Sequence, residues 1–135
     1  MIEIICEYFV KEECKGPFEL SYGPGGAWSK LFSDCDGFRG ITVLHDTIQE
    51  LRYLTVEVWD TETHREQAIA KSINTYNDLQ QDLDNWSESI TDRGHFRVLA
   101  QAAVRSQSKS LASASRRKSG NSQRSRRRTS QRQPD

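Results

Sequence analysis

Nine residues near the start of the chain constrain its fold most. The run IEIICEYFV, Ile2 to Val10, places Ile2, Ile4, Cys6, Tyr8 and Val10 on one side and Glu3, Ile5, Glu7 and Phe9 on the other. A period of two sustained over this length predicts a strand. Both sides carry bulky side chains, so neither face of the strand is simply turned to water.

The segments that follow build around it. Gly16, Pro17, Gly23, Pro24, Gly25 and Gly26 punctuate a loop region with room for a helical turn around Phe18 to Tyr22. Trp28, Leu31, Phe32 and Cys35 fall at i, i+3, i+4 and i+7, one apolar face of a helix that Gly37 ends in a left-handed cap. FRGITVLHD (Phe38 to Asp46) and YLTVEVW (Tyr53 to Trp59) read as two strands joined by TIQELR, a link short enough to make an antiparallel hairpin. In the second of these, Leu54, Val56 and Val58 share one face, and Tyr53, Thr55, Glu57 and Trp59 the other. Thr63 and Glu66 have the spacing of a capping box. It opens a helical stretch, or two successive helices, carrying Ile69, Ile73, Tyr76, Gln80, Leu83 and Ile90 with Trp86 beside them. Gly94 breaks that pattern, and HFRVLAQ (His95 to Gln101) supplies a last strand. The order βαββαβ is the ferredoxin-like α+β arrangement, a four-stranded antiparallel sheet with helices on one face. Its second face is bare, and pairing with a second copy through a two-fold axis is the economical way to cover it, so a homodimer is expected.

The charge divides the chain. Residues 1–104 hold nine Lys and Arg against eighteen Asp and Glu, a net of −9, whereas residues 105–135 hold ten basic side chains and Asp135, a net of +9. The second stretch has Leu111 as its one large apolar residue and nine serines. Such a composition buries too little surface to offset roughly 1–2 kcal/mol of ordering entropy per residue, which predicts a disordered Ser/Arg-rich basic tail behind a single domain spanning 1–104. Three readings of the tail stand open. One is a polar extension without a role. Another is an arm binding nucleic acid through phosphate neutralisation, without sequence preference because no aromatic side chain is interleaved. The third takes RRKS (Arg116 to Ser119) and RRRT (Arg126 to Thr129) as phosphorylation sites.

Several classes are excluded. No apolar run approaches the ~20 residues that cross a bilayer, so no membrane partner is expected. MIEIICEYFVKEE lacks the positive start of a secretory leader. Cys6, Cys14 and Cys35 are odd in number and lack CxxC spacing, which argues against a disulfide scaffold or zinc knuckle and for a cytoplasmic protein. Neither a dinucleotide fingerprint nor a P-loop is present, and His45, His64 and His95 lack ligand spacing, so neither a cofactor nor a metal is expected.

YGPGGAWSKLF (Tyr22 to Phe32), GFRGITVLHD (Gly37 to Asp46), RYLTVEVWD (Arg52 to Asp60) and LDNWSESIT (Leu83 to Thr91) with Gly94, taken in order, resemble the antibiotic biosynthesis monooxygenase-like family. The resemblance spans roughly residues 2–100. It implies the dimeric α/β-barrel superfamily and, from the family's best-known members, oxidation of quinol or polycyclic phenol substrates by dioxygen with no metal or flavin. Haem-degrading relatives are less similar. Trp59 matches their third-strand tryptophan, but their functional tryptophan and haem-binding histidine fall near Ile69 and Leu79, and Glu7 stands in place of a first-strand asparagine.

Oxidation without a cofactor needs a base in a dry pocket, because an electron-rich anion reduces oxygen by itself once its proton is gone. Glu57, a carboxylate between Val56 and Val58, is the first candidate base, and His45 the second. Trp59 and Tyr53 are candidate walls for an aromatic substrate, and Arg97 a candidate anchor for a phenolate. Each has a plainer reading: Glu57 paired with Arg97 or Arg39, His45 at a strand end in solvent, Trp59 as core, and Arg97 bridged to Glu3, Glu7 or Glu57. The expectation is a cofactor-independent monooxygenase-like protein for a small aromatic or quinol-type molecule. The alternative is a non-catalytic dimeric ligand-binding module of the same fold.

Overall fold

The computed structural model describes residues 1–102, and the expectations for the basic tail lie outside the described residues. Within the unit Met1–Leu99, the chain runs β1 (Ile2–Val10), a single 3-10 turn (Glu12–Cys14), α1 (Lys15–Tyr22), α2 (Ala27–Phe32), β2 (Phe38–His45), β3 (Arg52–Trp59), α3 (Glu62–Lys71), α4 (Ile73–Trp86) and β4 (Ser87–Arg97). The four strands form one antiparallel sheet in the order β2-β3-β1-β4, the ferredoxin-like topology.

The central strand β1 sits opposite β3 with Ile4 against Glu57, Cys6 against Thr55 and Tyr8 against Tyr53. Side chains alternate along a strand, so these pairs share the helix-side face. That face holds the core: Ile4, Tyr8, Val10, Tyr53 and Trp59 pack against Phe18, Trp28, Phe32, Ala68 and Leu83 from the helices. Trp59, Phe18 and Phe32 are completely enclosed. Each such side chain contributes about 1.5–3 kcal/mol through its burial.

The opposite face shows a different composition. Ile5, Phe9, Leu54, Val56 and Val58 are half-buried, and Leu44 and Phe96 are 46% and 50% exposed. In their midst lies Glu7, only 5% exposed. Arg52 Nε donates to its Oε2 at 2.5 Å, and Arg93 donates to its Oε1 from Nε at 3.0 Å and again from Nη2. Arg52 also bridges to Asp46 at 2.9 Å. These bonds hold the Glu7 carboxyl below the usual range.

Five sequence expectations shift. The helix read through Cys35 and capped by Gly37 ends at Phe32, and Gly37, at φ 81°, lies in the turn before β2. The turn at Phe18 is a full helix from Lys15, which tolerates Pro17 because first-turn N–H groups have no intrahelical partner. The helix cap is Thr61, whose hydroxyl accepts from His64 N at 3.1 Å, so the helix starts before the proposed Thr63 box. Two helices meet at Ser72, and the second stops at Trp86, which leaves Ile90 on a strand. That strand, β4, begins at Ser87 instead of His95 and passes through Gly94 at φ 119°, beside a register shift against Ile5 and Cys6. SESITDR lacks apolar alternation because it lies at a sheet edge with most of its side chains in water.

Candidate active site

Between the helix-side face and the helices lies a cavity of about 40 Å³. β1 contributes Ile4, Cys6 and Tyr8 to it, β2 Ile41, and β3 Thr55 and Glu57. The helices close it with Tyr22 at the end of α1, Trp28 from α2, Arg65 from α3, and Tyr76 and Gln80 from α4. Five of these eleven positions follow from the two-residue period of β1 and β3, which turns every second residue inward.

Glu57 is the acidic group of this cavity. Its Oε2 accepts from Trp59 Nε1 at 2.6 Å and from Arg65 Nε at 3.0 Å. Both bonds fall on one oxygen, so Oε1 has no hydrogen-bond partner among the described residues. The ion pair is sheltered, with 15% of the Glu57 side chain and 17% of the Arg65 side chain exposed. Burial works against the Arg65 charge, but Glu57 and the Tyr76 hydroxyl outweigh it and raise its pKa.

Three phenols surround this pair. Tyr8 and Tyr22 share a hydrogen bond between their hydroxyls at 3.1 Å. The Tyr22 ring stacks on Trp28 at 5.8 Å, and Trp28 meets Tyr76 edge-on at 5.7 Å. Burial pushes Tyr8 up to about 12, raises Tyr22 well above its ordinary value, and raises Tyr76. Burial, helped by Asp92, also raises the Cys6 thiol. All four groups therefore stay protonated near neutrality, and the cavity offers neutral hydroxyls around a carboxylate–guanidinium pair.

Of the residues singled out in the sequence, Glu57 lines this cavity. His45 lies outside it at the end of β2, stacked on Tyr53 at 4.4 Å, with Nε2 2.7 Å from the Glu50 carbonyl oxygen. Tyr53 is core, donating its hydroxyl to Glu19, and is no cavity wall. Trp59 is also core and touches the site through its indole N–H alone. Arg97 sits exposed on the edge strand opposite Ile2, away from Glu57, and forms no ion pair among the described residues. Arg39 pairs with Asp60 at 2.5 Å. Glu7, matched by position to a first-strand asparagine, points to the other face of the sheet, so Ile4, Cys6 and Tyr8 are the first-strand residues at the cavity. His64 and His95 bond to Thr61 and Glu62, respectively. The sequence reading missed Tyr8, Tyr22, Tyr76 and Arg65 as site residues. The signal for Tyr8 was present, since it shares the β1 face with Ile4 and Cys6; Arg65 had none, because nothing in a helical sequence says which strand residue it will reach.

No protein-family model matches the chain, and no curated protein matches it by sequence. Solved structures do. A protein assigned as an antibiotic biosynthesis monooxygenase from Deinococcus radiodurans superposes with a TM-score of 0.59 at 14% identity, covering 78% of this chain and 100% of its own. SnoaB, a cofactor-independent oxygenase from Streptomyces nogalater, gives 0.53 at 16% identity, over 74% of this chain and 94% of its own. The chain shares the ferredoxin-like fold of these structures. The same fold is shared with MhuD, a haem degrader from Mycobacterium tuberculosis, at a TM-score of 0.55 and 17% identity over 76% of this chain and 100% of that one. At such identities the likeness carries the fold, and the chemistry has to come from the cavity. Among the described residues no helix is long and apolar enough to cross a membrane.

Proposed function

We propose that this protein is a cofactor-independent monooxygenase acting on a small aromatic or quinol-type molecule, with Glu57 as the base. The observation that carries this reading is the division of labour within one carboxylate. Trp59 and Arg65 pin Oε2, and Oε1 is left to take a proton from a phenol hydroxyl that reaches this aromatic-lined cavity. Arg65, 3.0 Å from Oε2, supplies the positive charge that favours the phenolate once Glu57 is protonated.

The reaction balances without a further reductant. The phenol passes its O–H proton to Glu57. The ring carbon para to the oxygen gives electrons to dioxygen and forms a C–O bond, producing a hydroperoxide that takes the proton back. The O–O bond then breaks as the para C–H proton leaves. The products are a quinone and one water. The test is oxygen uptake by the full chain with a panel of phenols and hydroquinones, together with transfer of labelled oxygen from dioxygen into the quinone. Absence of uptake and label across the panel supports the ligand-binding module instead.

Homodimerisation through the open sheet face belongs to the same reading. Exposed Leu44 and Phe96, with half-buried Val56 and Val58 between them, form an apolar surface that a second copy covers. Sedimentation equilibrium is expected to give twice the mass of the 135-residue chain, and Val56→Glu to halve it. A wild-type monomer at micromolar concentration rejects the dimer.

A further inference from the structure

The cavity beside Glu57 holds chemistry that a reaction with oxygen leaves unused. Its volume is about 40 Å³. At about 10–15 Å³ for each water-sized position, that is room for roughly three non-hydrogen atoms. A phenol can send in only its hydroxyl. A CH–C=O unit enters whole.

The walls offer such a unit two things. One is a coupled pair of phenols. The Tyr8 and Tyr22 hydroxyls lie 3.1 Å apart, so one donates to the other, and the acceptor of that bond keeps its own proton free. A hydroxyl that accepts a hydrogen bond donates a stronger one. Burial keeps both phenols neutral, with Tyr8 pushed up to about 12 and Tyr22 raised well above its ordinary value. They can therefore donate to a carbonyl oxygen and stabilise negative charge developing on it. The other is Glu57 Oε1, which has no partner among the described residues while Trp59 and Arg65 hold Oε2. A fixed carboxylate with one free oxygen, in one cavity with neutral hydroxyl donors, is the set of groups that moves a proton off a carbon beside a carbonyl.

We propose that this cavity also catalyses keto–enol tautomerisation of a small 1,3-dicarbonyl compound, with Glu57 as the proton carrier and the Tyr8–Tyr22 pair as the carbonyl-binding donors. The substrate class follows from the chemistry. A carbon between two carbonyls is far more acidic than a carbon beside one, which brings its proton within reach of a carboxylate. Glu57 Oε1 takes that proton. The C–H electron pair becomes the C=C bond, and the carbonyl π pair moves onto the oxygen held by the phenols. Glu57 then returns the same proton to that oxygen. Substrate and product are isomers, so no oxidant, reductant or leaving group takes part. The step shares only its base with the oxygenase reading and goes beyond it.

The test dilutes enol-rich 2,4-pentanedione into the full chain at neutral pH under nitrogen and follows the decay of the enol absorbance. Relaxation is expected to accelerate in proportion to protein concentration. Glu57→Gln is expected to return the rate to that of buffer. Tyr22→Phe and Tyr8→Phe are each expected to leave about a tenth of the protein-dependent rate, since one donor of the pair remains. If Glu57→Gln loses its fold by circular dichroism, Glu57→Asp replaces it, with an expected loss of at least tenfold. Absence of a protein-dependent acceleration overturns the assignment. So does an acceleration that survives in the folded Glu57 variant, or undiminished in both folded phenylalanine variants. Acceleration with no oxygen uptake from any phenol keeps the tautomerase and removes the oxygenase; uptake without acceleration does the reverse.

Discussion

The two faces of this sheet each carry a glutamate held by arginine, and they differ in how completely it is held. On the open face, Glu7 has both oxygens occupied, Oε2 by Arg52 and Oε1 twice by Arg93. On the helix side, Glu57 has both of its donors on Oε2. A carboxylate with both oxygens already taken by arginines has little left to offer a ligand, however unusual its setting. One that is anchored through a single oxygen keeps its position and its capacity together. Shelter and an arginine partner are therefore common to both glutamates; what separates them is the unanswered oxygen of Glu57.

Exchanging the amide into each position gives the largest contrast. Glu57→Gln is expected to lower phenol-dependent oxygen uptake by about 10²-fold or more, the usual contribution of a positioned base. Glu7→Gln is expected to leave uptake within twofold and to lower the thermal midpoint instead. Equal losses of activity in both variants break the comparison.

A smaller effect sharpens it from the side of the anchor. Trp59→Phe removes the indole N–H from Oε2 and part of a fully buried ring. The lost bond costs about 1 kcal/mol and the lost volume about as much again, read from urea denaturation. Oxygen uptake is expected to fall only severalfold, because Arg65 still holds the same oxygen. A loss as large as that of Glu57→Gln places the indole, not the carboxylate, at the reacting end.

Acid titration separates the open face by its own signature. The Asp46 pKa is depressed to about 2 by the backbone N–H groups of Gln49 and Ile48 and by Arg52. Glu7 is depressed by its two arginines. A carboxyl that binds its proton less tightly when folded stabilises the fold fully above its ordinary pKa and loses that contribution as pH falls through the folded value. The thermal midpoint is therefore expected to hold steady down to about pH 5. It then falls below 4.5, the ordinary glutamate value, and goes on falling toward pH 2, with Asp46→Asn flattening the lower part. An unchanged midpoint between pH 5 and 2 contradicts the depressed values. Least of all, deleting residues 105–135 is expected to alter only nucleic-acid affinity and its salt slope. Equal slopes in both chains remove the arm, and altered uptake joins the tail to the site.

How much could be read from the sequence follows the same physics. β1 and β3 announce themselves because both faces of each carry large side chains, and the two-residue period then fixes that Glu57 points the same way as Trp59. The sheet order follows from the βαββαβ succession. Tyr22 and Trp28 are legible as residues around a glycine-rich turn but not as neighbours of a strand carboxylate, since their convergence depends on how α1 and α2 cross the sheet. Arg65 is hidden for the same reason, one polar residue among many on α3. The start of β4 was misplaced because an edge strand needs no apolar alternation, and Gly94 read as a helix breaker when it serves inside a strand.

That edge has a consequence for behaviour in concentrated solution. A sheet that ends in unpaired backbone groups invites another chain to add itself as a further strand. β4 meets this with Glu88, Asp92 and Arg93 along its length and a kink at Gly94, all of which make a straight, uncharged template impossible. The polarity that conceals the strand from pattern reading is thus also what makes β4 a poor template for the edge-to-edge addition of a further strand.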